Sequence, residues 1–173
     1  MSAVTDGIKK QICIDPRPTR PSCHASTLCE LEDGTLVAAC YAGQREGSPD
    51  SVVLGTRLKV GETNWSEPEV WVDVAERAPA NPRLFVGPDG KLWLLVGVNY
   101  GRWCSGDTYL FVKRSPDGGR RWTDLELLVE KKGLLGRNRP FHKGDVWLIP
   151  SEWEATWSAA FLRSEDGGNS WAV

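Results

Sequence analysis

Hydrophobic positions in this chain fall in short runs rich in Val, Leu, Trp and Phe. Gly, Pro and Asp separate them, and no segment keeps a helical period for ten residues. Three stretches share one layout of an apolar run, a tight turn and a second apolar run: "TLCELEDGTLVAACYAG", "PRLFVGPDGKLWLLVGV" and "NRPFHKGDVWLIPSEW". Their turn glycines, Gly34, Gly90 and Gly144, are 56 and 54 residues apart. Each hairpin leads through a polar loop to a third run, "SVVLGTRLK", "TYLFVKRS" or "SAAFLRS", and the first two continue to a fourth, "EPEVWVDV" and "DLELLVE".

A unit of four short antiparallel strands repeated about every 50 residues predicts an all-β chain, and fits propeller blades better than a sandwich, whose strands need not recur as a set. The boundaries expected are an N-terminal extension or closing strand over 1–20, blade 1 over 21–75, blade 2 over 76–131 and an incomplete blade 3 over 132–173. Three blades do not close a ring, so further blades C-terminal to these, or a second copy of the chain, are expected to complete it.

Composition narrows the partners. With 21 Lys and Arg against 23 Asp and Glu, mixed along the chain, no basic stripe points to nucleic acid. No apolar run has the length of a membrane span, and "MSAVTDGIKKQICID" lacks the apolar core of a secretion signal, so the expected location is cytoplasmic, away from the membrane. Five cysteines and two histidines show no metal-ligand spacing, and neither a metal nor an organic cofactor is expected. Nine tryptophans suit either sheet packing or stacking on sugars.

Two stretches repeat more closely than the rest. "SPDGGRRWTD" carries Ser115, Asp117, Gly119 and Trp122; "SEDGGNSWAV" carries Ser164, Asp166, Gly168 and Trp171 at the same intervals. Both fall between the third and fourth strands of their units. There Ser and Asp can bond main-chain N–H groups, Gly accepts positive φ, and Trp packs the turn onto the blade. The first unit keeps only Trp65, in "VGETNWSEPEVW".

Ser-x-Asp-x-Gly-x-x-Trp at a blade period is the Asp box. From about Pro21 to Val173 the chain resembles the sialidase (neuraminidase)-like superfamily of BNR-repeat propellers, in its bacterial predicted-neuraminidase branch. The resemblance implies a six-bladed propeller of which this is the N-terminal half, and a glycosidase releasing terminal sialic acid or a related acidic sugar.

Strand alternation puts the Asp boxes and hairpin turns at one end of the blades and a substrate at the other. The polar segments of that second end supply His24, Arg45, Glu46 and Asp50, then Asn81, Arg102 and Trp103, then Asn138 and Trp153, with Glu152 and Glu154 on the same face. Arginine suits a carboxylate and tryptophan a sugar ring. By the resemblance, Asp50 is the acid/base carboxyl and Arg45, five residues before it, a carboxylate-binding arginine. The family's first-blade arginine is replaced by His24, and none of Tyr41, Tyr100 or Tyr109 matches its tyrosine nucleophile. Three readings follow. The first is a sialidase-like hydrolase, with this portion inactive by itself. The second is an enzyme of another acidic sugar linkage with His24 in proton transfer. The third is a non-catalytic glycan-binding propeller stacking sugars on Trp103, Trp153 and Trp157.

Overall fold

The computed structural model describes residues 13–173. The first part of the expected N-terminal extension and its leader-free reading lie outside the described residues.

Three four-stranded antiparallel sheets succeed one another. Blade 1 comprises β1 (Ser22–Glu30), β2 (Leu36–Gly43), β3 (Val52–Leu58) and β4 (Glu69–Asp73), in the order β1-β2-β3-β4. Blade 2 repeats it with β5 (Ala78–Val86), β6 (Leu92–Asn99), β7 (Thr108–Ser115) and β8 (Glu126–Leu127). Blade 3 has β9 (Leu134–Leu135), β10 (Phe141–Lys143), β11 (Val146–Trp153) and β12 (Ser158–Ser164). Here β9 and β10 both pair with β11, so the innermost strand is broken rather than continuous. Two features explain the break. Pro140 has no N–H for the ladder, and Gly136 passes so close to the Pro150 carbonyl that a Cβ would lie 2.6 Å from it. Beyond β12 the chain turns back, and Arg163 and Ala172 exchange main-chain hydrogen bonds of 2.8 and 2.9 Å, the start of a fourth-strand pairing.

The blades are held face to face by two apolar layers, and β6 supplies both. Leu94 and Val96 join Val37, Ala39, Val53 and Trp71 of blade 1; Trp93 and Leu95, pointing the opposite way, join Leu134, Ile149 and Leu162 of blade 3. A strand covered on both faces reads as one apolar run, which is why "LWLLVGV" shows no alternation. Each of these aliphatic side chains contributes roughly 1.5–3 kcal/mol by leaving water. The other face of blade 1 is covered near Cys40, Ala42 and Val52 by Ile14 and Cys23. The five cysteines are free thiols: Cys29 and Cys40 buried, Cys13 and Cys23 half-buried, Cys104 exposed. Burial pushes the Cys40 thiol up to about 12, with Cys23 beside it adding to the shift.

Candidate functional site

The two ends of the blades differ in chemistry. At one end the hairpin turn of blade 1 around Asp33, the turn glycine Gly90 and the blade 2 Asp box border a common groove. In that box the Ser115 hydroxyl donates to Asp117 Oδ1 at 2.9 Å and accepts the Gly119 N–H at 2.8 Å; Asp117 accepts the Arg121 N–H at 2.8 Å. Blade 3 repeats the scheme: Ser164 to Asp166 at 2.8 Å, Gly168 N–H to Ser164 at 2.9 Å, Ser170 N–H to Asp166 at 2.9 Å. The Arg121 side chain is the main cause that holds the Asp117 carboxyl below the usual range, and the Ser170 side chain the main cause that holds that of Asp166 at about 2.

The boxes also join neighbouring blades. Trp122 lies 5.1 Å from Trp71 of blade 1, and Arg57 of blade 1 donates to the Gly119 carbonyl at 2.7 Å. The Ser, Asp and Gly polar groups of the motif are spent on the turn or on the adjoining blade, so this end is structural.

At the opposite end the strand-2-to-strand-3 loops of all three blades converge with the first strands of blades 2 and 3. They enclose a cleft of about 480 Å³, counting the part open to solvent. Its charged groups are Glu46, Glu152, Glu154 and Arg137; its aromatic walls are Trp103 and Trp157. Asn81, Asn99 and Thr108 supply buried polar groups.

Each is positioned by a specific element. Asn99 and Thr108 face each other as the last β6–β7 pair, the Asn99 amide 3.4 Å from the Thr108 hydroxyl. Thr108 in turn donates to Glu154 Oε2 at 3.1 Å across the blade junction, and the Gly133 carbonyl accepts the Glu154 N–H at 2.8 Å. Burial is the main cause that pushes the Glu154 carboxyl above its ordinary range, with Glu152 adding to it. Asn81 sits in the bulge that interrupts the β5–β6 register, at φ 47°. Of the five non-glycine residues at positive φ among those described, Asn81, Cys104 and Trp157 line this cleft. Such backbone costs of order 1–3 kcal/mol each and concentrates where a site needs a fixed geometry.

The structure brings together six of the sequence-predicted residues and sets the others apart. Glu46, Asn81, Trp103, Glu152, Glu154 and Trp157 line the cleft. Trp103 packs over Gly47 and near Tyr41, at 6.5 Å between rings. His24 lies exposed beyond Tyr41, stacked on it at 5.6 Å and bonded to the Ser22 hydroxyl at 2.7 Å. Arg45 and Asp50 lie exposed on the loop that ends in β3. Asp50 accepts the Gln44 N–H at 3.0 Å, and Ser48 followed by Gln44 holds its carboxyl below the usual range. Arg102 is exposed, its carbonyl taking the Ser105 hydroxyl.

Asn138 borders a shallow depression on the far face of blade 3, beside Pro150 and Phe161. Trp153 packs into the layer between blades 2 and 3, its indole N–H bonded to the Lys132 carbonyl at 3.1 Å, so of the three tryptophans expected to stack on sugars it is the one that does not line the cleft. Thr108 and Asn99 were not singled out from sequence. The available signal was their position as the paired residues that open and close a loop at the site end.

Three blades with Asp boxes at one end and a polar, aromatic cleft at the other define a partial β-propeller of the sialidase type. The chain belongs to the BNR repeat-like domain family, whose match runs over residues 34–173. Among solved structures it is similar to the Hadza microbial sialidase Hz136, with a TM-score of 0.72 and 15% identity over 88% of this chain and 37% of that one. It is also similar to a protein of unknown function from Dyadobacter fermentans DSM 18053 (TM-score 0.72, 18% identity, 93% and 56% covered). A third is the leech intramolecular trans-sialidase complexed with 2,7-anhydro-Neu5Ac (TM-score 0.74, 12% identity, 95% and 45% covered). The chain thus spans 37% to 56% of their lengths, and at these identities the likeness establishes the fold. No curated protein matches it by sequence.

Proposed function

We propose that the chain is the N-terminal portion of a sialidase-like exo-glycosidase, and that the cleft where its three blades meet seats the terminal sugar. The observation that carries this reading is the convergence of Trp103, Trp157, Asn81 and Glu154 in one cleft at the end of the blades away from the Asp boxes. Aromatic faces beside buried hydrogen-bonding groups are what a pyranose ring requires. In this reading Asp50 and Arg45 stand at the outer rim, Asp50 as the acid/base carboxyl and Arg45 as a substrate contact, with Glu46 reaching from the same loop into the cleft.

A glycan array probed with the purified chain tests it. Saturable binding to terminal monosaccharides is expected, and loss of that binding in Trp157→Ala, with an unchanged circular dichroism spectrum. Binding to no glycan overturns the reading. Hydrolysis of a fluorogenic sialoside by this chain, abolished in Asp50→Ala, would put the chemistry within these blades. Binding without turnover is the outcome for a glycan-binding propeller.

A further inference from the structure

Three of the five cysteines meet on the face of blade 1 turned away from blade 2. Cys23 pairs with Ala42 across β1 and β2, and Cys40 lies two residues along β2, so both side chains join Ala42, Val52 and Leu54 on that face. The β1 bulge between His24 and Thr27, with Ala25 at φ 48°, reverses the alternation. Cys29, opposite Val37, therefore points into the layer between blades 1 and 2. Cys13 arrives from outside the ladder. The segment ahead of β1 crosses this face, and its Ile14 packs on the same cluster as Cys23. Gln44 Nε2 donates to the Thr19 carbonyl at 2.9 Å and Arg17 pairs with Glu67 at 3.0 Å, which fixes the segment to blade 1 at two further points.

The three thiols are not equivalent. Cys40 is 5% exposed, and burial, followed by Cys23 beside it and then Cys13, pushes its thiol up to about 12. It keeps its proton, and the attacking species in disulfide chemistry is the thiolate. Cys13 and Cys23 are half-buried, within reach of a small oxidant. The sheet also separates Cys23 from Cys40. Diagonal neighbours on adjacent strands stand about 7–8 Å apart, while a disulfide needs Cα atoms about 4.4–6.8 Å apart. Cys13 belongs to no strand, so no ladder register holds it away from Cys23.

We infer that Cys13 and Cys23 are a redox pair that closes to a disulfide and staples the segment ahead of β1 to blade 1, with a low-molecular-weight disulfide as the oxidant. The thiolate of one cysteine attacks a sulfur of the small disulfide, forms a mixed disulfide and expels one small thiolate. The second cysteine loses its proton, attacks the protein sulfur of the mixed disulfide and expels the other small thiolate. Two protein thiols are oxidised, one small disulfide is reduced, and the two protons end on the two small thiols. The staple sits next to the candidate site: Gln44, which holds the Thr19 carbonyl, also donates its N–H to Asp50 at 3.0 Å. It stands independently of which sugar, if any, that site takes.

Peptide mapping tests it. The purified chain is reduced, incubated with oxidised glutathione, alkylated and cut ahead of each Asp, which separates peptides 6–14, 15–32 and 33–49 carrying Cys13, Cys23 with Cys29, and Cys40. Peptide 6–14 is expected to appear joined to 15–32, to be released by dithiothreitol, and to appear unjoined in Cys23→Ser. Because the staple closes a loop of residues 13–23, oxidation is also expected to raise Tm by about 5–10 °C, with no rise in Cys13→Ser.

A link between 15–32 and 33–49, or one between 6–14 and 15–32 that survives Cys23→Ser, assigns the bond to another pair and overturns the inference. Glutathione adducts without a cross-link, thiols that all stay alkylatable, or a rise in Tm that persists in Cys13→Ser overturn it as well.

Discussion

Thr108 at the start of β7 in blade 2 donates a hydrogen bond to Glu154, the residue just past β11 in blade 3, 3.1 Å across the blade junction. This bond is the polar counterpart of the apolar layer beneath it, and it leaves Glu154 buried beside Glu152. A carboxyl whose pKa rises on folding favours the folded state when protonated. That contribution is present below the ordinary glutamate range and is lost as pH rises through the raised value. Glu154→Gln keeps the Thr108 bond and removes the charge. It is therefore expected to raise Tm at neutral pH, by about 2–4 °C per kcal/mol recovered, with the gain closing in acid. Thermal melts of the two proteins across pH check this, and a gain that does not depend on pH would contradict it.

The Asp boxes carry the opposite dependence. Asp166 accepts bonds from Ser164 and Ser170, which hold its carboxyl down at about 2. A depressed carboxyl stabilises the fold above the ordinary aspartate range, and the contribution disappears as pH falls toward the folded value. Asp166→Ala is therefore expected to lower Tm at neutral pH and to match the parent near pH 2. Asp117→Ala should follow the same course in blade 2, where Arg121 is the main partner. Paired melts over that range provide the measurement.

Most of the fold was legible because its signal is local and periodic. Turn glycines, strand runs and two Asp boxes recur with the blade, and β6 advertised burial on both faces by losing its alternation. The broken inner strand of blade 3 was not legible. It depends on Gly136 meeting the Pro150 carbonyl, a contact between positions far apart in strand order.

The candidate site was legible by end but not by residue. Alternation assigns Glu46, Asn81 and Trp103 to the correct end, and equally Asn138 and Trp153, which turn away from the cleft. Which side chains converge depends on the packing of blades against each other. That is how Thr108, unremarkable in sequence, and Glu154, placed by sequence only on the site face, become one hydrogen-bonded pair.

Gly168 and Gly167 separate two demands placed on glycine. Both have positive φ, 82° and 69°. A Cβ on Gly168 would lie 2.8 Å from the Trp93 ring and 3.0 Å from Pro88, while one on Gly167 meets nothing within 4 Å. Gly167→Ala should cost only the left-handed backbone, about 1–2 kcal/mol. Gly168→Ala should add the displacement of a ring that is 2% exposed, for a total of roughly 2–5 kcal/mol. Urea unfolding of the two variants tests this; equal losses would mean that the Asp box of blade 3 moves freely relative to Trp93.

Arg83 gives the last prediction, in the opposite direction from most core substitutions. Its side chain is enclosed between blades 2 and 3, and Nη1 donates to the Pro150 carbonyl at 3.2 Å, while Nε and Nη2 have no hydrogen-bond partner. Burial lowers its pKa to about 10, against a smaller opposing effect of Glu152. A guanidinium kept from water with most of its donors unpaired costs more than its single bond returns. Replacing it with an apolar chain of similar length is expected to stabilise. Arg83→Met should raise the free energy of unfolding by about 1–3 kcal/mol, read from the urea midpoint at constant slope. Loss of stability of that size would instead mean that the free nitrogens are satisfied by buried water or by Glu152. Arg83→Lys distinguishes the two: Lys retains the charge near Glu152 but not the planar donor set, so it restores stability only if the charge is what matters.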